Sequence, residues 1–321
     1  MTAVYLRRFA MLLLLCPTLL LAQAAPFPTY PIQAPAGPPP PNFDRTLRSQ
    51  SEWSFDRWPP SSFANIGPFN GRQNVLELGL TQAFALPNRP PAYQTTFYNT
   101  QGRRIALGTR PPNSSFVGSL WLPSSWLSSD PGSAQLNRRS DLWGVLMPGA
   151  TGLTCDFEAC NAFAVIGFTN ADPVNPTTNG GSARFRVFDS QLPGDGWFNV
   201  SSATVPLVGD SWNNLCITWT GPTIEYRIND VLVYTDSTVV PDVPAGPLTN
   251  FSEAIVQGYN FGSDYAIRWS HLASGVGDCR SVTTVFQGSV PVAVPSLGAG
   301  ALALMAGLLL ALGALTLRSE Q

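Results

Sequence analysis

Lysine is missing from this chain: all 18 basic residues are arginine. Histidine occurs once, as His271. Charged residues of either sign make up 12% of the sequence and nearly cancel, to a net charge of −2. Each shortage excludes something. Without a basic excess or stripe, a nucleic-acid partner is set aside. With one histidine, a zinc site built on His pairs is ruled out, and a Ser-His-Asp arrangement would have to use His271. That residue sits in Trp269-Ser270-His271 with no nucleophile-elbow sequence around it. Helical periodicity is the other absence. Between the two ends no stretch sustains a 3.6-residue apolar period, which argues against a helical domain.

The two ends carry the long apolar runs. Arg7 and Arg8 precede an apolar stretch from Phe9 to Leu21, followed by Ala22-Gln23-Ala24, a small-x-small site. This pattern reads as a signal peptide over residues 1–24, cut by signal peptidase. At the other end, Leu297 to Leu317 gives 21 residues without a charge, followed by Arg318. As a helix that run spans roughly 31 Å, the thickness of a bilayer core. The positive-inside rule keeps residues 318–321 cytoplasmic. The expectation is an exported protein, at the cell envelope or extracellular surface, held by a C-terminal transmembrane helix at 297–317. Val294-Pro295-Ser296-Leu297 ahead of that helix resembles the IPTL-type C-terminal sorting segments of Gram-negative bacteria, relatives of the PEP-type tails read by exosortases. The resemblance implies a sorting protease that cuts near Pro295, within a linker over 286–296.

Cysteine usage agrees with export. Beyond the signal there are four, Cys155, Cys160, Cys216 and Cys279, an even number suited to an oxidising compartment. Three pairings are open. The short Cys-Asp-Phe-Glu-Ala-Cys segment favours Cys155 with Cys160, leaving Cys216 with Cys279; zinc is the rival use of these thiols. Residues 25–42 are proline-rich, with Pro38 to Pro41 consecutive, and read as an extended linker. Residues 43–73 mix aromatics with turn formers and read as an irregular lead-in to a domain over 74–285.

That domain reads as all-β. Short β-branched and aromatic runs are separated by Gly, Pro, Asn, Asp and Ser. Strands are expected near 75–81, 93–98, 115–122, 141–146, 162–169, 183–189, 197–200, 213–220, 223–229, 231–235, 253–260 and 265–272. A dozen short strands imply a two-sheet sandwich. Leu215, Ile217 and Trp219 alternate with polar residues, Gly221-Pro222 turns the chain, and Ile224, Tyr226 and Ile228 alternate again. Asn229-Asp230 then supplies a two-residue turn before Val231 to Tyr234.

Trp212 to Tyr234 resembles the strand–turn–strand–hairpin order of concanavalin-type, laminin-G-like lectin/glucanase domains, with Asp230 where that family usually has Gly. Phe116 to Trp121 resembles the family's first long core strand. Ile255 to Phe261 with Tyr265 to Ser270 resembles its closing pair. The resemblance implies an antiparallel jelly-roll sandwich and a glycan or protein partner at a surface. It also leaves calcium open as the metal, with Asp189, Asp195 and Asp210 as acidic candidates; no other cofactor is implied.

Catalysis is not expected. Glucanases of this class carry Glu-x-Asp-x-x-Glu, which is absent here. Asp156 and Glu158 alternate, but inside the short Cys155–Cys160 segment. Binding is better served. Asn99 to Gly102 is turn chemistry that would present Arg103, and in Arg138-Arg139-Ser140-Asp141-Leu142-Trp143-Gly144 the Asp141 carboxylate could accept from hydroxyls while Trp143 stacks on a sugar ring. Asn99, Arg103, Asp141 and Trp143 are therefore the candidate ligand residues; the rival reading makes Trp143 and Phe97 core and pairs Asp141 with an Arg to close the sandwich. The alternatives are a structural or matrix protein with no small ligand, and a glycoside-active enzyme.

Overall fold

The computed structural model describes residues 25–26, 53–108, 110–128, 137–148, 162–171, 182–237 and 248–282. Fifteen strands follow one another in these segments. They begin with β1 (Ala25–Pro26), β2 (Ser54–Arg57), β3 (Ser62–Asn65), β4 (Leu76–Leu80) and β5 (Thr100–Ala106). The middle of the chain gives β6 (Ser114–Leu122), β7 (Arg139–Pro148), β8 (Ala162–Thr169), β9 (Arg184–Phe188) and β10 (Trp197–Asn199). The last are β11 (Ser211–Trp219), β12 (Ile224–Ile228), β13 (Val231–Asp236), β14 (Leu248–Tyr259) and β15 (Tyr265–Val276).

They form two antiparallel sheets. One runs β13-β12-β11-β6-β15-β4-β3, with β1 also paired to β15; the other runs β10-β9-β8-β7-β14-β5-β2. The chain is thus the all-β, two-sheet sandwich expected from its strand spacing. The reason is visible in the alternation of single strands. In β4 and in β12, both of the first sheet, every second residue is buried, which gives that sheet one apolar face to hide. From the first sheet Leu78, Phe116, Ile217, Trp219 and Tyr226 fill the space between the layers; from the second come Leu142, Ile166, Phe185, Val187 and Val256. Each such side chain contributes about 1.5–3 kcal/mol by leaving water.

The β11–β12–β13 meander forms as its alternation predicts, with Leu215 opposite Ile228, Ile217 opposite Tyr226 and Trp219 opposite Ile224. Asn229 and Asp230 both take left-handed backbone, φ 49° and 66°, the geometry a two-residue hairpin turn requires. Asp230 therefore does what Gly does in the family this segment resembles. Cys216 on β11 is joined to Cys279, with Cα atoms 5.9 Å apart.

Three expectations are corrected. Residues 93–98 are not a strand: two short 3-10 turns, Pro91–Tyr93 and Thr96–Asn99, occupy them and β5 begins at Thr100. Pro90 and Pro91 set the turn, and Tyr93 is buried against Trp58, ring centroids 5.1 Å apart. The lead-in at 43–73 is not irregular throughout, because β2 closes one edge of the second sheet and β3 one edge of the first. Strands of four residues are too short to show a period. The supposed closing pair is no pair: β14 lies in one sheet and β15 in the other. Cys155, Cys160, Asp156 and Glu158 lie outside the described residues, as do Arg7, Arg8, the sorting motif at Val294 to Leu297 and the apolar run 297–317. Among the described residues no helix is long and apolar enough to cross a membrane.

Candidate functional site

The second sheet turns its other face away from the core, and cross-strand register arranges that face in rows. In one row stand Asp56, Gly102, Gln257, Asp141, Gly167 and Arg186, each opposite the next. The neighbouring row reads Arg104, Ile255, Trp143, Val165, Phe188 and Trp197. A polar row thus lies beside an aromatic and aliphatic one.

The polar row carries two hydrogen-bonded groups, Asp141 with its arginines and Gln257 with Asp56 and Trp143. Arg139 Nε donates to Asp141 Oδ2 at 2.5 Å, and Arg186 Nη2 donates to both carboxylate oxygens at 3.2 Å. With its amide nitrogen on Asp56 Oδ2 at 2.8 Å, Gln257 accepts from the Trp143 indole N–H. Asp141 is completely buried. Burial alone would push its carboxyl up; the Arg139 and Arg186 guanidiniums outweigh this and hold it below the usual carboxylate value. Burial and the repulsion of Arg139 in turn lower Arg186, to about 9.

The two glycines in the row make room for it. A Cβ on Gly167 would stand 2.3 Å from Asp141 Oδ1 and 2.4 Å from the Ser140 carbonyl, and one on Gly102 would stand 2.7 Å from the Gln257 Cβ. Gly167→Ala is therefore expected to destabilise the protein by about 1–3 kcal/mol, read as a lower urea midpoint. An unchanged midpoint would show that Asp141 does not need that space.

Above these rows lies a groove of about 270 Å³, lined by Arg57, Thr96, Thr100, Arg139, Trp143, Phe188 and Trp197. Its rings are held in place by cations and by each other. Arg57 lies 5.1 Å over Trp143 and Arg139 lies 5.2 Å over Trp197; Arg186 lies 3.6 Å over Trp197, and Phe188 packs 5.2 Å from it. Trp143, Phe188 and Trp197 are each partly exposed.

The candidates from sequence divide here. Trp143 stands in the groove wall, but Asp141 does not reach the groove: it is completely buried, its carboxylate held by Arg139 and Arg186 rather than open to a ligand hydroxyl. Arg103 does not reach it either. It points into the space between the sheets, 2% exposed, with its guanidinium 5.3 Å from the Phe63 ring. The turn expected to present it is a 3-10 turn feeding a strand, and the strand parity turns Arg103 inward. Asn99 is buried in that turn, its carbonyl accepting from the Asn260 N–H at 2.9 Å. Arg57, Arg139, Arg186, Trp197 and Gln257 complete the site without having been singled out. A trace existed in Phe185-Arg186-Val187 and Val256-Gln257-Gly258, where a polar residue interrupts an apolar strand. The proposed calcium residues are separate: Asp189 accepts from Gln191 N–H and Tyr234 O–H, Asp195 from Trp197 N–H, and Asp210 from Ser124 N–H. His271 belongs to β15 in the other sheet, against Arg72; burial and that arginine lower it to about 4.

The network suits binding charge and rings. Asp56 and Asp141 stand three strand spacings apart, about 14 Å, outside the separation at which two carboxylates cooperate on one glycosidic bond.

No family model matches the chain, and no curated protein matches it in sequence. Among solved structures it is similar to alginate lyase Aly36B, with 10% identity over 78% of this chain and 95% of that one, TM-score 0.44. It is likewise similar to a variant of Aly36B in complex with alginate trisaccharide, with 10% identity over 80% and 98%, TM-score 0.43. A third is the β-glucanase of Bacillus licheniformis, with 13% identity over 76% and 97%, TM-score 0.35. These are likenesses of fold. The expectation that the chain is no enzyme is corrected by this comparison: the structures it is similar to include proteins described as a lyase and a glucanase.

Proposed function

We propose that this protein binds a glycan in the groove on the outer face of the seven-stranded sheet, and that it does so outside the cytoplasm. The groove itself carries the reading. Partly exposed Trp143, Trp197 and Phe188 offer faces for the apolar side of a sugar ring, while Thr96, Thr100, Arg57 and Arg139 offer hydrogen bonds to its edge. The rings are preset by the cations stacked on them, which reduces the ordering cost of binding. The Cys216–Cys279 disulfide supports an oxidising location. Export by residues 1–24, anchoring by 297–317, processing near Pro295 and the laminin-G-like character of the domain belong to the same proposal.

Titration of the purified protein with a panel of neutral and acidic oligosaccharides tests it. Trp143→Ala is expected to weaken binding of any ligand found by about tenfold, the worth of one stacked ring. The same incubations, read for newly released ends or unsaturated products, separate binding from turnover. If no saccharide binds, the proposal falls and the structural or matrix reading takes its place.

A further inference from the structure

Three features of the groove share one sign. Two arginines line it, Arg57 and Arg139, and none of the lining residues is an acid. Beneath it a single carboxylate, Asp141, is shared by two guanidiniums, Arg139 and Arg186, so the triad keeps one positive charge more than it neutralises. The neighbouring acid, Asp56, keeps its charge on the Gln257 amide but stands three strand spacings, about 14 Å, from Asp141. The third feature is an unmet donor. Arg186 is 7% exposed, its guanidinium carbon lies 3.6 Å from the Trp197 ring centroid in the groove wall, and its Nε has no hydrogen-bond partner among the described residues. Surplus charge in a buried setting is costly, and a ligand anion is the group that relieves it. The lowering of Arg186 to about 9 has the same origin, since burial and Arg139 both disfavour its charged form.

We infer that the saccharide taken by this groove is acidic, its carboxylate or sulfate held by Arg57 and Arg139 while its ring lies between Trp143 and Trp197. The inference rests on the glycan-binding reading above and narrows it. Arginine suits the task because its planar fork donates two parallel hydrogen bonds to a carboxylate or sulfate. The stacking of Arg57 on Trp143 and of Arg139 on Trp197 puts each cation beside a ring that would hold the sugar.

Calorimetric titration of the full-length protein with oligogalacturonate, its fully methyl-esterified form, a sulfated galactan oligosaccharide and a neutral β-glucan oligosaccharide tests this. One acidic ligand is expected to bind at least about tenfold more tightly than the uncharged ones, with an affinity that falls as salt rises. Which acidic ligand wins tells carboxylate from sulfate. In Arg57→Gln the acidic ligand is expected to lose that advantage while the methyl ester binds as before, a pattern that general unfolding cannot produce. Should that variant not fold, the salt dependence and the acid-to-ester ratio of the unaltered protein decide the matter. Equal affinity for acid and ester would overturn the inference and leave the glycan site standing. Failure of every saccharide to bind would overturn both.

Discussion

Replacing Asp141 with alanine is expected to lower the stability of the protein by about 3–5 kcal/mol, the largest effect of any single change near the groove. The substitution removes the one carboxylate between Arg139 and Arg186 and leaves two guanidiniums facing each other with that counter-ion gone. The acid's attraction, more than its packing, accounts for the loss, so Asp141→Asn is expected to recover little of it. Replacing Asp141, Arg139 and Arg186 together with apolar residues of similar volume should restore most of it, because no charge is then left unpaired. The same network sets a pH dependence. Since the folded carboxyl lies below the usual carboxylate value, its contribution is complete at neutral pH and is lost as the pH falls through the folded value. Urea denaturation at pH 7 and at decreasing pH measures both. A midpoint that is the same in Asp141→Ala and the unaltered protein would show that the triad does not form.

The second large effect belongs to the disulfide. Cys216 and Cys279 close a loop of 63 residues that contains β12, β13, β14 and β15. Opening a loop of that length is expected to cost about 4 kcal/mol through the entropy returned to the unfolded chain. The bond ties β11, in the middle of the first sheet, to the segment just beyond β15, so its loss also frees the end of the strand that pairs with β6. Denaturation of the Cys216→Ser, Cys279→Ser double variant beside the oxidised protein gives the number. If reduction of the unaltered protein leaves its midpoint in place, the two thiols are not joined in solution.

How far these features could be read beforehand depends on how local their causes are. The β11–β13 meander was legible because alternation and turn chemistry act over a few residues, and Leu215, Ile217, Trp219 and Asn229-Asp230 state both. The all-β sandwich was legible for similar reasons, whereas the Cys216–Cys279 pair, 63 residues apart, followed only from pairing the neighbouring Cys155 and Cys160 first. Arg103 shows the limit. Thr100 to Ala106 contains Gln101, Gly102, Arg103 and Arg104, and nothing in those letters says which parity faces the core. The structure buries Arg103 over Phe63 and turns Gly102 into the outward row. Asp141 and Trp143 were found because both lie on one strand, two residues apart. Their partners Asp56, Gln257, Arg186 and Trp197 come from four other strands, and only the register brings them into adjacent rows. A row across a sheet has no signature along the chain.

The proposal that Trp143 and Trp197 receive a sugar ring is tested most directly by a crystal structure of the protein soaked with a saccharide that binds it. The account predicts a ring stacked on Trp143 or Trp197, with its polar edge toward Arg57 and Arg139. A saccharide seated elsewhere, as on Trp121 and Trp212 of the opposite sheet, with the groove unchanged, would contradict it.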